Sequence, residues 1–209
     1  MTRLTRSVNA VDIVRKFRRV RALVLGDAML DTYLLGSAAR LCSEGPAPVV
    51  AKREEYRVPG GAANTAANMR ALGAQVIYLG VIGNDLNGGM LRDALHRHHV
   101  SDRWLIQDSA ITTLHKLRII ADGQYVVRLD EGEARACAQH IQRRMLSALE
   151  VAYPQCDVVV VSDYGYGAVS GEVIACLKRL REGDDRPLIV DSKQLARFRE
   201  ARATVITPN

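Results

Sequence analysis

The chain alternates short, wholly apolar runs with stretches whose apolar residues recur every three or four positions. The runs Arg21–Gly26, Val76–Gly83, Asp157–Asp163, Pro187–Asp191 and Ala203–Thr207 are apolar on both faces and end in glycine or a polar residue. That pattern predicts parallel strands buried between two layers. Between them lie helical patterns. Val11, Val14 and Phe17 mark a first amphipathic helix from about Val8 to Arg19. Ala62, Ala66 and Met69 mark a second, closed by Gly73. A third passes Leu91 and Leu95 behind an Asn84-Asp85 cap. Ala138, Ile141, Met145 and Leu149 predict a helix over Ala134–Leu149, and Val173, Ile174, Leu177 and Leu180 another over Ser170–Arg181. A short helix is expected near Ala196. The βαβα alternation is that of an α/β fold, with one domain across the chain.

Two stretches break the alternation. Residues 32–58 and 112–130 read as strands standing off the main sheet. The second contains Asp122-Gly123 between two strand-like runs, the signal of a tight hairpin turn. Lys116 and Arg118 are two apart, so both project from one face of a strand. A shared basic face suits an anionic ligand; solvated edge charges give the same pattern.

Composition narrows the picture. Of 209 residues, 48% are hydrophobic and only 5% aromatic, which supplies a full core built on alanine, valine and leucine. Cys42, Cys137, Cys156 and Cys176 are scattered without a Cys-x-x-Cys pair, which predicts reduced thiols in a cytoplasm and neither zinc site nor disulfide framework. No apolar run approaches membrane-spanning length. The net charge of +6 is densest at Arg15–Arg21, a solvated helix face without interleaved aromatics, so neither nucleic acid nor membrane is an expected partner.

Candidate chemistry gathers at strand ends, where open parallel sheets bind ligands. Asp31 follows the first strand and could accept hydrogen bonds from substrate hydroxyls; a solvated loop aspartate is the alternative. Gly60-Gly61 feeds a helix N-terminus, so bare backbone and free N–H groups could meet a ligand, with Asn64 in the first turn. Small residues packing a helix on a sheet explain the same run. No Gly-x-Gly-x-x-Gly follows the first strand, which argues against a dinucleotide enzyme.

Taken together, Gly26-Asp27-Ala28-Met29-Leu30-Asp31, Pro59–Asn64, Leu72-Gly73-Ala74, Lys116-Leu117-Arg118, Ser162-Asp163-Tyr164 and Thr207-Pro208-Asn209 resemble the ribokinase-type (PfkB) sugar kinases. The loop Arg40–Val50 is most similar to that of the heptose 7-phosphate kinases among them. The resemblance runs in unbroken order from about residue 20. It implies a ribokinase-like three-layer α/β/α sandwich with an inserted β lid over segments 32–58 and 112–130. It implies ATP and Mg²⁺ as cofactors of the intact enzyme, heptose 7-phosphate as substrate, and pairing of subunits through the lid into a homodimer. Asp31, Gly60, Gly61 and Asn64 match sugar-binding positions, and Glu44 and Asp163 fall in matching segments. Arg40, Lys116, Arg118 and Arg128 are candidates for the sugar's phosphate, Lys116 and Arg118 foremost. Asp191, Lys193 and Asn209 match positions facing the nucleotide.

The departures carry equal weight. The family's Gly-Ala-Gly-Asp, whose aspartate is the catalytic base, does not occur in these residues. Tyr166 stands where the heptose kinases carry lysine, and Ser192 and Ser43 where they carry proline. The expectation is therefore a chain holding the sugar half and the lid, with the C-terminal part of the fold missing and little or no kinase activity of its own. The non-enzyme alternative is a sugar-phosphate-binding or subunit-pairing remnant; the enzyme alternative is another sugar or nucleoside kinase of this fold. Ending on Val205-Ile206 predicts an uncovered sheet edge and poor solubility or association.

Overall fold

The computed structural model describes residues 9–134 and 137–208. Six parallel strands form the body sheet: β1 (Arg21–Gly26), β4 (Gln75–Gly83), β5 (Leu105–Asp108), β8 (Val158–Asp163), β9 (Leu188–Ser192) and β10 (Val205–Ile206), in the order β10-β9-β8-β1-β4-β5. β1 lies at the centre, paired with β4 and β8. Its successive side chains enter opposite cores, as period-two alternation requires. Leu23 and Leu25 join α4 (Gln139–Ala152) and α5 (Gly171–Leu180) on one face. Val24 joins α2 (Ala62–Ala71) and α3 (Leu86–Arg97) on the other. The result is a three-layer α/β/α sandwich.

The two off-sheet stretches make a second sheet, order β3-β2-β6-β7, from β2 (Ala28–Leu41), β3 (Pro48–Gly61), β6 (Leu114–Ala121) and β7 (Gln124–Glu131). The strands reach further towards the body than the sequence pattern marked, because β2 starts two residues after β1 and β3 runs directly into α2. The Asp122-Gly123 turn is present, both residues at positive φ (49° and 81°), as a two-residue hairpin connection requires. The lid is tied to the body through Asn87 of α3, whose amide donates to Glu131 at 2.8 Å, while within the lid the His115 ring meets Glu131 and the Thr32 hydroxyl.

Several expectations are corrected. The first helix, α1 (Ala10–Lys16), is one short turn-pair continued by a 3-10 turn, and none of its residues is buried. Its apolar side lies open against Leu72 and Gly73. α4 begins at Gln139 rather than Ala134: Ala134, Cys137 and Ala138 are not helical, the N-cap Ala138 offers no side-chain hydrogen bond, and residues 135 and 136 of the expected start lie outside the described residues. The segment near Ala196 is a 3-10 helix, Leu195–Ala201. The last strand keeps only Val205 and Ile206, each about half exposed. β5 carries too short an apolar pair, Leu105-Ile106, to be read as a strand from pattern. Asp85 caps α3 as expected, accepting from the Gly88 N–H at 2.7 Å.

Candidate functional site

Where β1 gives way to β2, Asp27 is almost wholly buried. Its carboxylate accepts the backbone N–H groups of Tyr164 (2.8 Å), Tyr166 (3.1 Å) and Ala168 (3.1 Å). Its carbonyl accepts the Ala62 N–H that opens α2. Burial raises the Asp27 pKa, and the three N–H groups pull it back only in part. Asp27 thus pins the loop after β8 and the start of α2 to one point. Sequence reasoning passed over it for Asp31; its only signal was a carboxylate directly after a buried strand.

Asp31 sits on β2 above Gly60. A Cβ at Gly60 would stand 2.8 Å from the Asp31 carboxylate, so the glycine makes room for the acid. Gly61 takes φ +55° at the N-cap of α2. Arg118 Nη1 donates to Asp31 Oδ1 at 2.8 Å, and both side chains are about one-sixth exposed. Burial works against the Arg118 charge, but the Asp31 bond outweighs it and leaves the guanidinium pKa raised. The guanidinium lies 5.1 Å over the Tyr33 ring, which stacks on Tyr56 at 4.9 Å. Two residues before Arg118 on β6, Lys116 is the register partner of Asp31, and its Nζ stands 5.4 Å over the Tyr166 ring. Asn64 is exposed in the first turn of α2, its carbonyl oxygen accepting from the Asn68 amide.

Beside this cluster opens a cavity of about 240 Å³ lined by Asp27, Val81, Thr112, Glu133, Cys137 and Tyr166, among others. The four cysteines are free thiols; the Cys137 thiol donates to the Gly167 carbonyl, and burial raises its pKa.

Other candidates lie elsewhere. Asp163 is buried and engaged by protein partners: Ser192 Oγ at 2.8 Å, Arg197 Nη1 at 3.2 Å and the Gly165 N–H at 3.0 Å. Its carboxylate joins β8, β9 and the 3-10 segment. Arg40 and Glu44 are exposed around the β2–β3 connection. Arg128 is exposed and paired with Asp130 through two hydrogen bonds. At the end of β9, Asp191 accepts from the Thr207 hydroxyl at 3.1 Å and Lys193 is exposed. Asn209 lies outside the described residues. Among the described residues no cluster of three or more His, Cys, Asp or Glu side chains could hold a metal ion. No helix among the described residues is long and apolar enough to cross a membrane.

Residues 21–209 match the pfkB family carbohydrate kinase signature. The chain belongs to the pfkB carbohydrate kinase family. Among curated relatives, the bifunctional protein HldE of Azorhizobium caulinodans is 38% identical over 187 residues, which are 89% of this chain and 39% of the relative. HldE of Desulfatibacillum aliphaticivorans is 33% identical over 205 residues, 98% of this chain and 42% of the relative. The chain therefore spans about two-fifths of the length of the curated relatives it matches. Two solved structures share the fold. Arabidopsis thaliana ribokinase complexed with ribose and ATP superposes with TM-score 0.62 at 18% identity, covering 91% of this chain and 60% of that one. A possible 1-phosphofructokinase of Thermotoga maritima gives 0.67 at 16% identity, covering 90% and 60%. The ribokinase-like architecture with its β lid is thus that of this pfkB-family chain.

Proposed function

We propose that this chain is the sugar-binding portion of an ATP-dependent heptose 7-phosphate kinase. The reaction would phosphorylate D-glycero-D-manno-heptose 7-phosphate at O1, in the cytoplasm, for ADP-heptose and lipopolysaccharide core synthesis. The observation that carries this reading is the Asp31–Arg118 pair seated on Gly60, with Lys116 beside it, in a chain 38% identical to an HldE. A carboxylate fixed on one oxygen by arginine keeps its remaining lone pairs for sugar hydroxyls. Buried polar groups of that kind reject analogues lacking the hydroxyl. Gly60-Gly61 lets the sugar approach backbone, and Asn64 stands at the helix start beside it. Lys116 would take the phosphate already on the sugar.

ATP supplies the transferred phosphoryl group when bound; this chain's described residues contribute only Asp191 and Lys193 towards it. Phosphoryl transfer rests on positioning and charge stabilisation around a base, and no Gly-Ala-Gly-Asp occurs in the 209 residues. The activity assigned to these residues is binding and orientation of the sugar phosphate, with the base drawn from outside them. A second role is favoured by β7. It exposes every residue, including Tyr125 (68%) and Leu129 (50%), at a sheet edge, which suits pairing with a second lid.

The test is calorimetric titration of the purified chain with heptose 7-phosphate, alongside ADP release with ATP and Mg²⁺. Expected are saturable binding, loss of binding in Asp31→Ala, and ADP release at background. Absence of binding at millimolar sugar phosphate would sink the reading. Turnover that Asp31→Ala abolishes would keep the sugar site and overturn the assignment of the base to other residues.

A further inference from the structure

The basic candidates at the site differ in what answers their charge. Arg118 is neutralised by Asp31, and Arg128 by Asp130 on the lid surface. Lys116 is half-buried, and among the described residues no carboxylate pairs with it. Its ammonium stands over the face of Tyr166. An aromatic face holds a cation without cancelling its charge. The Tyr166 backbone is itself fixed, its N–H donated to the buried Asp27 carboxylate at 3.1 Å. Two residues on, Ala168 donates to the same carboxylate.

We propose that Tyr166 is a positioning residue that selects for phosphorylated over unphosphorylated sugars, by holding Lys116, the cation of the cluster that forms no ion pair among the described residues. This inference rests on the sugar-phosphate reading above. It divides the labour within Lys116-Leu117-Arg118. Arg118 orients the carboxylate that takes sugar hydroxyls, and Lys116 takes the anion. The ring limits where the flexible lysine stem can place its charge, so less freedom is lost when the phosphate arrives. Asp27 acts one step further back, by fixing the loop that carries the ring.

The experiment is titration of the full 209-residue chain with heptose 7-phosphate and with the same heptose lacking phosphate, read as the ratio of the two affinities. Lys116→Gln should reduce the ratio by more than about tenfold, as loss of a charged hydrogen bond does. Tyr166→Leu should reduce it by about fivefold and Tyr166→Phe should restore it, since the ring face rather than the hydroxyl is what Lys116 meets. A purely structural role for Tyr166 would weaken both sugars alike and leave the ratio unmoved; that result overturns the inference while sparing the function. A wild-type chain that binds the phosphorylated sugar no better than the plain one also overturns it. A wild-type chain that binds neither refutes the sugar-phosphate reading and the inference with it.

Discussion

The body sheet and the lid sheet are held by opposite means. In the body, β1 buries all but its first residue, and its neighbours β4 and β8 bury most of theirs. In the lid, β7 buries none, and β2 and β3 are mostly half-buried or exposed beyond their first or last few residues. The body is specified by apolar packing on two faces. The lid is specified by its turn and by particular side-chain pairs: Tyr33 stacked on its register partner Tyr56, and Asp31 bonded to Arg118 across β2 and β6. Where packing fixes a strand, a side chain is free only to fill space. Where pairs fix it, the side chains that hold the sheet are also those offered to a ligand.

The sharpest way to break the body is at its closest backbone approach. A Cβ at Gly26 would stand 2.0 Å from the Ser162 carbonyl oxygen, its own register partner on β8. The obstacle is backbone, so it cannot move without parting β1 from β8. Gly26→Val should therefore cost at least about 3 kcal/mol, at the upper end of overpacking effects, and leave little soluble protein. A urea melt matching that of the wild type would show that the central pairing is looser than this geometry.

The junction between the two regions comes next. Asp27→Ala leaves three backbone N–H groups, of Tyr164, Tyr166 and Ala168, without their acceptor. Unsatisfied buried donors cost about 1–3 kcal/mol each, so a loss of about 3 kcal/mol or more is expected after local relaxation. The pH dependence has a definite sign. The native Asp27 pKa is raised above 3.8, so the folded state binds this proton more tightly than the unfolded chain. Its contribution is fully present below the unfolded pKa and is lost as pH rises through the native one. In paired urea melts, the gap between wild type and Asp27→Ala should widen as pH falls from neutral towards 3.8. A gap that narrows would mean the three N–H groups outweigh burial.

These cases also explain what could be read without coordinates. The body strands were legible because burial on two faces writes itself as unbroken apolar runs, as in Val158-Val159-Val160-Val161. β5 was not, because two apolar residues at a sheet edge carry no period. The apolar phase of α4 was right and its start was not, since Ala138 gives no capping signal. In the site, Gly60 and Asp31 could each be proposed singly, yet their dependence on each other is a distance of 2.8 Å that no spacing encodes. Asp163 looked like Asp31 in sequence, a carboxylate at a strand end. Only the positions of Ser192 and Arg197 show that both of their bonds converge on one of its oxygens and tie it to the protein. Asp27 is the converse, a residue whose importance comes from a loop more than a hundred positions away.

The smallest stability effect is expected on the lid, where it separates folding from association. Val127 lies on β7 and is 43% exposed, facing no core cluster. Val127→Lys removes little buried area, so the urea midpoint should stay within about 0.5 kcal/mol of the wild type. If lids pair through this edge, the same substitution places a charge in the contact, where edge lysines block strand-to-strand association. Sedimentation should then show a lighter species for Val127→Lys at concentrations where the wild type self-associates. A wild type that sediments as a monomer throughout would remove the lid-pairing role. A large loss of stability in the variant would contradict the contrast itself, by showing that β7 is held by packing after all.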